Sequence, residues 1–184
     1  MEELTKLFEP IHIGDVQVKN RVVMPAMAMN YASLGSPSER LKDFYLERAE
    51  VGLIIVGGIP IYGLGSFKPS VSEDEFVTGW RDFVDALHQQ GAKVGIQLFH
   101  PGKFAFSAMI GAQPVSPSSI PSRFTGETPR ELTIPEIKEI VENFAQAVKR
   151  AKDADFDLIE YNCYSGYLIR EFLSPLANHR TDEY

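Results

Sequence analysis

The sequence predicts an α/β fold in which parallel strands alternate with helices, and two observations support this. Short β-branched runs such as LIIVGG at 53–58 alternate with segments of helical spacing. Each predicted strand ends in glycine or polar residues, which is typical of strands whose carboxyl ends meet at a binding edge. The connection after the first strand has no G-x-G-x-x-G, so a Rossmann site is not supported. An open doubly wound sheet and a (β/α)8 barrel both fit this order.

The predicted elements follow one another along the chain without an internal repeat. A hairpin around Gly14 and Asp15 is expected at 7–19. Strands are predicted at 22–27, 53–58, 93–100 and 156–162, and helices at 38–50, at 73–91 and from Thr133 onward. Ser38 is a plausible N-cap, and Thr133 begins a capping-box spacing.

A long stretch rich in proline, serine and glycine separates the third strand from the last helix. It runs over 101–131, and irregular connections of that length usually form binding loops or lids. Phe104, Phe106, Met109 and Ile110 within it suggest an apolar wall. The sequence therefore favours a hydrophobic ligand over a sugar.

Composition excludes several classes of function. The net charge of −7 argues against nucleic acid as the main partner, which would favour a basic surface. The single cysteine, Cys163, excludes a disulfide within the chain and a cysteine-rich metal or iron–sulfur site. No metal-ligand spacing is present. No apolar run suits a signal peptide or a membrane span, so a soluble, cytoplasmic protein is expected.

The segment 156–184 resembles one family closely. Old yellow enzyme and its relatives, the flavin-dependent ene-reductases and dienoyl-CoA reductases, carry a segment similar to VEIHxAxGYLLxQFLSPxxNxRTDEY. The matching residues in this chain are Glu160, Gly166, Tyr167, Leu168, Phe172, Leu173, Ser174, Pro175, Asn178 and Arg180 through Tyr184. This many matches at fixed spacing are far more specific than a short motif.

The resemblance implies a (β/α)8 TIM barrel, of which this chain supplies the N-terminal hairpin and about four βα units. A closed barrel needs eight units and about 250 residues. Residues 1–184 are therefore expected to form the N-terminal half of a flavin-binding barrel whose remainder is absent from the chain. Such a half-barrel leaves two open sheet edges and an uncovered apolar face. Self-association, or a complementing C-terminal half, is expected to cover that face.

The resemblance also implies FMN as cofactor and NAD(P)H as reductant. The family's flavin-contacting positions correspond to Pro25, Ala26, Met27, Ala28, Gly58 and Gln97. Ala28 stands where relatives often have Thr or Cys, so that side-chain contact with the flavin is lost. Independently of the resemblance, Gly58 permits close approach of a flat ligand, and the Gln97 amide can donate and accept at once. An iron–sulfur cluster is conceivable only in a missing C-terminal part.

The resemblance makes Tyr167 the acid that protonates the carbon next to a substrate carbonyl. Relatives have His-x-x-His or His-x-x-Asn at the substrate-binding pair, where this chain has Asn162 and Ser165. This weaker pair of donors suits an activated substrate such as a thioester, because negative charge builds on the carbonyl oxygen. His100 in HPGK is expected to be architectural rather than catalytic.

The expected function is an ene-reductase type of hydride transfer from NAD(P)H, through flavin, to an activated C=C bond. The substrate would be a small hydrophobic enone or enoyl thioester. One alternative is an inactive half-barrel that self-associates as an assembly module. A lower-ranked alternative uses Asp157 and Glu160 as a glycosidase-type carboxylate pair.

Overall fold

A four-stranded parallel sheet is the centre of the part of the chain that the computed structural model describes, residues 5–62 and 69–184. The strands are β1 Ile11–Ile13, β2 Val16–Val18, β3 Val23–Met24, β4 Ala32–Ser33, β5 Ser36–Pro37, β6 Leu53–Pro60, β7 Lys93–Phe99, β8 Val115–Ser116, β9 Arg130–Glu131 and β10 Leu158–Tyr161. The helices are α1 Thr5–Phe8, α2 Glu39–Leu46, α3 Val77–Gln89, α4 Ser107–Ile110, α5 Ile134–Asp153 and α6 Leu168–Phe172.

The order of strands in the central sheet distinguishes between the two architectures. The strands lie in the order β3, β6, β7, β10, so each strand pairs with the next along the chain and all pairs are parallel. A doubly wound sheet reverses its strand order at a switch point, whereas a barrel adds neighbours in one direction. The sheet is therefore an open segment of a barrel.

The N-terminal hairpin closes one end of the barrel interior. In the β1–β2 hairpin, Gly14 at φ +58° occupies the turn. Val18 of β2 is buried against Leu53 and Ile55 of β6, with Leu158 packed beside them. This cluster fills the amino-terminal part of the inner sheet face, so only the carboxyl-terminal part is left for a ligand.

The outer face of the sheet packs on the helices in one large core. The fully buried side chains of α3 are Trp80, Phe83, Val84 and Leu87, as its spacing predicts. Ser38 caps α2 by accepting a hydrogen bond from the Leu41 N–H at 3.2 Å. Thr133 and Glu136 form the predicted capping box of α5. These local signals fix where the helices begin.

Element lengths differ from the prediction at several ends. The first barrel strand was expected over 22–27, yet β3 has only two residues, because Pro25 has no N–H for the ladder. A single bridge from Ala28 to Gly57 resumes the pairing beyond it. Helix α2 ends at Leu46 rather than at residue 50, and a 3₁₀ turn at Asp74–Phe76 precedes α3. The predicted loop 101–131 also contains α4 and the parallel pair β8–β9.

One side of the sheet and its helices is uncovered among the described residues. β3 and β10 each pair with one strand only. Beside β10, an apolar groove of about 580 Å³ runs between α5 and α6. Val141 of α5 lies in this groove and is 59% exposed, although valine is among the residue types most often buried. None of the described helices has the length and apolar character needed to cross a bilayer.

Candidate active site

A cleft of about 920 Å³ lies at the carboxyl ends of β6, β7 and β10. It is lined by Pro25, Ala26, Ala28, Gly58, Gln97, Phe99, Pro101, Phe104, Ala105, Phe106, Met109, Ile110, Phe124, Glu160, Asn162, Tyr164, Ser165 and Tyr167. Every predicted site residue except Met27 is in this lining. Met27 instead accepts a 3.5 Å hydrogen bond from the buried Tyr45 hydroxyl through its carbonyl oxygen. Residues far apart in sequence thus meet at the mouth of the half-barrel.

Two glycines bring the backbone of β6 close to its neighbours. A Cβ added at Gly57 would lie only 2.3 Å from the Ala26 Cβ, so no side chain fits there. A Cβ at Gly58 would lie 3.3 Å from the Gln97 Oε1 and 3.2 Å from the Phe99 ring. The register of β6 against β7 shifts between Val56 and Ile59, at this pair. Gly58 lines the cleft without a side chain, so bare backbone is exposed there, which suits a flat ligand.

The Gln97 amide is oriented by two neighbours. Its Nε2 donates to the Glu160 Oε1 at 2.5 Å, and its Oε1 accepts from the Asn162 Nδ2 at 3.1 Å. An ionised carboxylate can only accept, so Glu160 determines which end of the amide faces it. The second N–H and a lone pair of Gln97 are then left for a ligand in the cleft. A donor and an acceptor side by side match the N–H and carbonyl edge of a flavin pyrimidine.

Asn162 and Ser165 lie on the short loop after β10. The Asn162 Oδ1 accepts from the Tyr164 N–H at 3.0 Å, so the side chain is held at both ends. Ser165 has a left-handed backbone at φ +59°, a conformation that is rare outside glycine. Its exposed hydroxyl lines the cleft. The loop therefore offers one remaining Asn162 N–H and the Ser165 hydroxyl as neutral donors.

Tyr167 precedes α6 and is wedged between aromatic rings. Its ring meets the Phe99 ring edge-on at 5.1 Å between centroids, and the Phe104 ring at 5.8 Å. Among the described residues, none hydrogen-bonds the Tyr167 hydroxyl, while the residue lines the cleft. The packing fixes the ring and leaves the hydroxyl available to a ligand.

An aromatic wall forms part of the same cleft lining. The Phe124 ring stacks on Phe104 at 4.9 Å and on Phe106 at 5.7 Å between centroids. Sequence reasoning found Phe104 and Phe106 but missed Phe124, which is isolated in a polar part of the loop. Phe124 is 63% exposed, so its face is open to a ligand.

Comparison with known proteins shows the family of this chain. The sequence profile of the NADH:flavin oxidoreductase / NADH oxidase family matches residues 6–184. The chain belongs to this family. A metal reductase of Desulforamulus reducens is 46% identical over 182 residues, which are 97% of this chain and 27% of that protein. An NADPH dehydrogenase of Bacillus subtilis is 42% identical over 188 residues, which are 97% of this chain and 54% of that protein.

Solved structures of old yellow enzyme relatives have the same fold over nearly all of this chain. An old yellow enzyme homologue from Zymomonas mobilis superposes with a TM-score of 0.89 at 32% identity, over 97% of this chain and 54% of that chain. The chain therefore spans about half the length of the Bacillus subtilis and Zymomonas mobilis proteins, and 27% of the metal reductase. The predicted resemblance and the half-barrel fold are confirmed. The family uses FMN and NAD(P)H, which agrees with the predicted cofactors.

His100 lies near the cleft without lining it. His100, in HPGK, is buried, and its Nδ1 accepts from the Gly102 N–H at 3.0 Å. Burial lowers the pKa of His100 to about 3, so the imidazole is neutral at physiological pH. The His100 carbonyl accepts from the Leu168 N–H at 3.1 Å. This histidine joins β7 to α6, as expected for an architectural residue.

Glu171 was not singled out by sequence reasoning, although the family's segment has glutamine at its place. The residue is 1% exposed, and a Cβ on Gly102 would lie 2.5 Å from its Oε1. The Oε1 accepts from the Lys103 N–H at 2.9 Å, whereas the Oε2 has no hydrogen-bond partner among the described residues. Burial raises the pKa of Glu171 to about 7.

Asp157 and Glu160 do not form the carboxylate pair that a glycosidase needs. The Asp157 carboxylate accepts hydrogen bonds from the Lys93 side chain and the Val94 N–H at the amino-terminal end of β7. It also accepts one from the His88 side chain of α3. Its pKa is raised by burial but lowered more by these donors, so it lies below the usual range. Glu160 alone lines the cleft. The glycosidase alternative is therefore not supported by the geometry.

The side chains of Asp85, His88 and Asp155 lie close together, and Asp85 and Asp155 are exposed. None of the three lines the cleft.

Proposed function

We propose that this chain is the N-terminal half of an FMN-dependent ene-reductase that takes hydride from NAD(P)H. The acceptor is the activated C=C bond of a small hydrophobic enone or enoyl thioester. The observation that carries this proposal is the Gln97 amide, held between Glu160 and Asn162 beside the bare backbone of Gly58. Family membership supports the reaction type. The acidic composition and the single cysteine support a cytoplasmic location.

The residues present fit FMN at the cleft. The backbone of Pro25, Ala26 and Ala28 together with Gly58 offers a surface free of bulky side chains, and Gln97 would bond the pyrimidine edge. A side chain at Gly58 would press on both Gln97 and Phe99, which supports a requirement for glycine. When bound, the flavin supplies hydride acceptance and donation in a single site.

The chain's own polar residues would activate and protonate the substrate. Asn162 and Ser165 would donate hydrogen bonds to the substrate carbonyl oxygen, drawing electron density from the C=C bond. Both are neutral, so the activation is weaker than with a charged donor, which favours a substrate that is already activated. The Tyr167 hydroxyl would deliver the proton to the carbon next to the carbonyl.

The wall of Phe104, Phe106 and Phe124 supports a hydrophobic substrate. These rings line the same cleft as Gln97 and Glu160, and Met109 and Ile110 are also in the lining. Such a surface excludes water around the reacting bond and offers little to a sugar hydroxyl.

Flavin uptake tests the proposal directly. The full-length natural protein should be yellow when purified, or should become so on incubation with FMN. Anaerobic addition of NADH or NADPH should bleach that absorbance, and an enone or enoyl thioester should restore it. A protein that is colourless and takes up no FMN would contradict the proposal.

The open faces favour a second candidate, an assembly module that is inactive by itself. Within residues 5–62 and 69–184, β3 and β10 each have one unpaired edge. The groove between α5 and α6 exposes Val141, Tyr161 and Leu173. Exposed strand edges and apolar grooves drive association. The 184-residue chain would then elute in size-exclusion chromatography as a dimer or larger, or bind a complementing half-barrel. Tight FMN binding by the monomeric chain would rule out the inactive-module candidate.

A further inference from the structure

A second cleft, of about 630 Å³, lies directly behind the aromatic wall of the candidate active site. Phe104, Phe124 and Ser165 line both clefts, so one ligand could reach from one into the other. A Cβ on Gly166 would lie 2.1 Å from the Phe104 ring, which explains how closely this ring packs on the loop after β10. One layer of aromatic side chains, Phe104 and Phe124, therefore lies between the two clefts.

The second cleft is cationic in a protein whose net charge is −7. Lys103, Arg123 and Arg170 line it. Among the described residues, none forms a salt bridge or a side-chain hydrogen bond with these three groups. By contrast, Arg130, Arg150 and Arg180 each have a carboxylate partner. Three cations left without carboxylates beside an active-site cleft suggest that the negative partner is a ligand.

The one acidic residue in this lining, Glu171, does not neutralise the cleft. Its side chain is packed under the turn at Gly102 and Lys103, and it is 1% exposed. Burial keeps part of the Glu171 population protonated near neutral pH, because its pKa is about 7. The cleft therefore carries a net positive charge with Glu171 in either protonation state.

We propose that Lys103, Arg123 and Arg170 bind the phosphate group of a ligand whose other end occupies the candidate active site. This inference rests on the proposed function and names a further recognition element of the same site. Guanidinium groups bind phosphate oxygens in pairs, and a lysine adds a point charge, so this set suits a phosphate better than a single carboxylate. The exposed Phe124 ring offers the ligand an apolar bridge between the clefts.

Two sources could supply this phosphate: the nucleotide reductant, or the phosphorylated carrier of a thioester substrate. The shared chemistry is tested first, with inorganic pyrophosphate and titration calorimetry on the FMN-loaded protein. Arg123→Gln and Arg170→Gln should each weaken pyrophosphate binding about three- to tenfold, the scale of partly exposed charge-assisted contacts. The double variant should weaken it further.

Arg21→Gln is the matched control, because Arg21 is exposed and outside both clefts. It should leave pyrophosphate affinity unchanged. Absence of saturable pyrophosphate binding, or equal losses in the control and the test variants, would overturn the proposal. Melting temperatures within error of the parent would show that the substitutions leave the fold intact, as expected for exposed side chains.

Stopped-flow kinetics then identifies the source. If the reductant supplies the phosphate, the double variant should raise the Kd of NADPH. An equal rise for NADH would assign the contact to the diphosphate that both nucleotides carry, and a much smaller rise for NADH would assign it to the 2′-phosphate. If the substrate supplies it, the KM of crotonyl-coenzyme A should rise, while that of the crotonyl thioester of N-acetylcysteamine should not. A third result is that the double variant loses pyrophosphate binding while the nucleotide Kd values and the KM of crotonyl-coenzyme A stay unchanged. That result would show an adventitious anion only and would overturn the proposal. Calorimetry needs no turnover, and the pyrophosphate titration is repeated on protein to which no FMN has been added. Failure of FMN uptake and failure of phosphate binding are therefore separate results.

Discussion

Gln97 donates a 2.5 Å hydrogen bond to Glu160, its register partner on the neighbouring strand of the barrel sheet. The acceptor end of the same amide accepts a hydrogen bond from Asn162, so three side chains of the cleft lining are connected by hydrogen bonds. Glu160 is thus a positioning residue for Gln97, although the two are 63 residues apart in sequence.

Glu160→Gln should weaken FMN binding. The neutral amide can donate as well as accept, so the orientation of Gln97 is no longer unique. Loss of a charge-assisted hydrogen bond of roughly 1.5 kcal/mol corresponds to about a tenfold rise in Kd. Quenching of flavin fluorescence on titration with FMN measures this. Glu139→Gln, at an exposed position on α5, should leave the Kd unchanged. An unaltered Kd in Glu160→Gln would mean that Gln97 needs no such support.

Tyr167→Phe should separate the two half-reactions. The Phe99 and Phe104 contacts of the ring are kept, so FMN binding and flavin reduction by NAD(P)H should stay near the parent values. Reoxidation by an unsaturated substrate should slow by about 10²- to 10⁴-fold, the usual contribution of a positioned acid. Anaerobic stopped-flow absorbance follows both steps. Tyr164→Phe removes another hydroxyl from the same cleft and is the control. Equal reoxidation rates in parent and Tyr167→Phe would assign the proton to water or to another group.

Asn162→Ala should weaken the binding of substrates and of phenolic inhibitors. It removes an amide donor from the carbonyl position, and a lost buried hydrogen bond costs roughly 1–3 kcal/mol. Because Asn162 also bonds Gln97 and the Tyr164 N–H, FMN affinity should fall to a smaller extent. Titration of the charge-transfer absorbance with a phenol gives the inhibitor Kd. Ser165→Ala tests the second donor without touching these bonds. If inhibitor affinity falls only in Ser165→Ala, the donor roles are reversed.

Glu171 should make the folded state less stable as pH rises. Its folded pKa of about 7 lies above the ordinary 4.5, so the native state holds the proton more tightly than the unfolded chain. The free energy of unfolding should therefore fall between about pH 4.5 and 7 and level off above that, by at most roughly 3 kcal/mol.

Glu171→Gln should remove this fall, since an amide does not titrate. Its melting temperature should exceed that of the parent at pH 8 by more than at pH 5.5, as measured by calorimetry or circular dichroism. Glu50→Gln, at an exposed position, should keep the pH dependence of the parent. A parent whose stability does not fall over this range would show that Glu171 is ionised in the folded state without cost.

Much of the fold and part of the site could be predicted from local sequence. The β-branched runs place β6 and β7, and the caps at Ser38 and Thr133 place α2 and α5, because these signals involve neighbouring residues only. Element ends were less predictable. β3 stops before Pro25 for want of a donor, and Val141 is exposed because no further element covers α5 among the described residues.

The sequence by itself determined the order of strands and helices, the family and the residues that could act chemically, since these depend on residue type and spacing. Only the tertiary structure decided which of them meet. The direction of the Gln97 amide depends on Glu160 and Asn162. The environment of Glu171 depends on the turn at Gly102, which lies 69 residues earlier in the chain. The cationic cleft joins arginines from different segments in the same way. Burial and hydrogen bonding at such contacts arise only when parallel strands bring distant segments to one edge of the sheet.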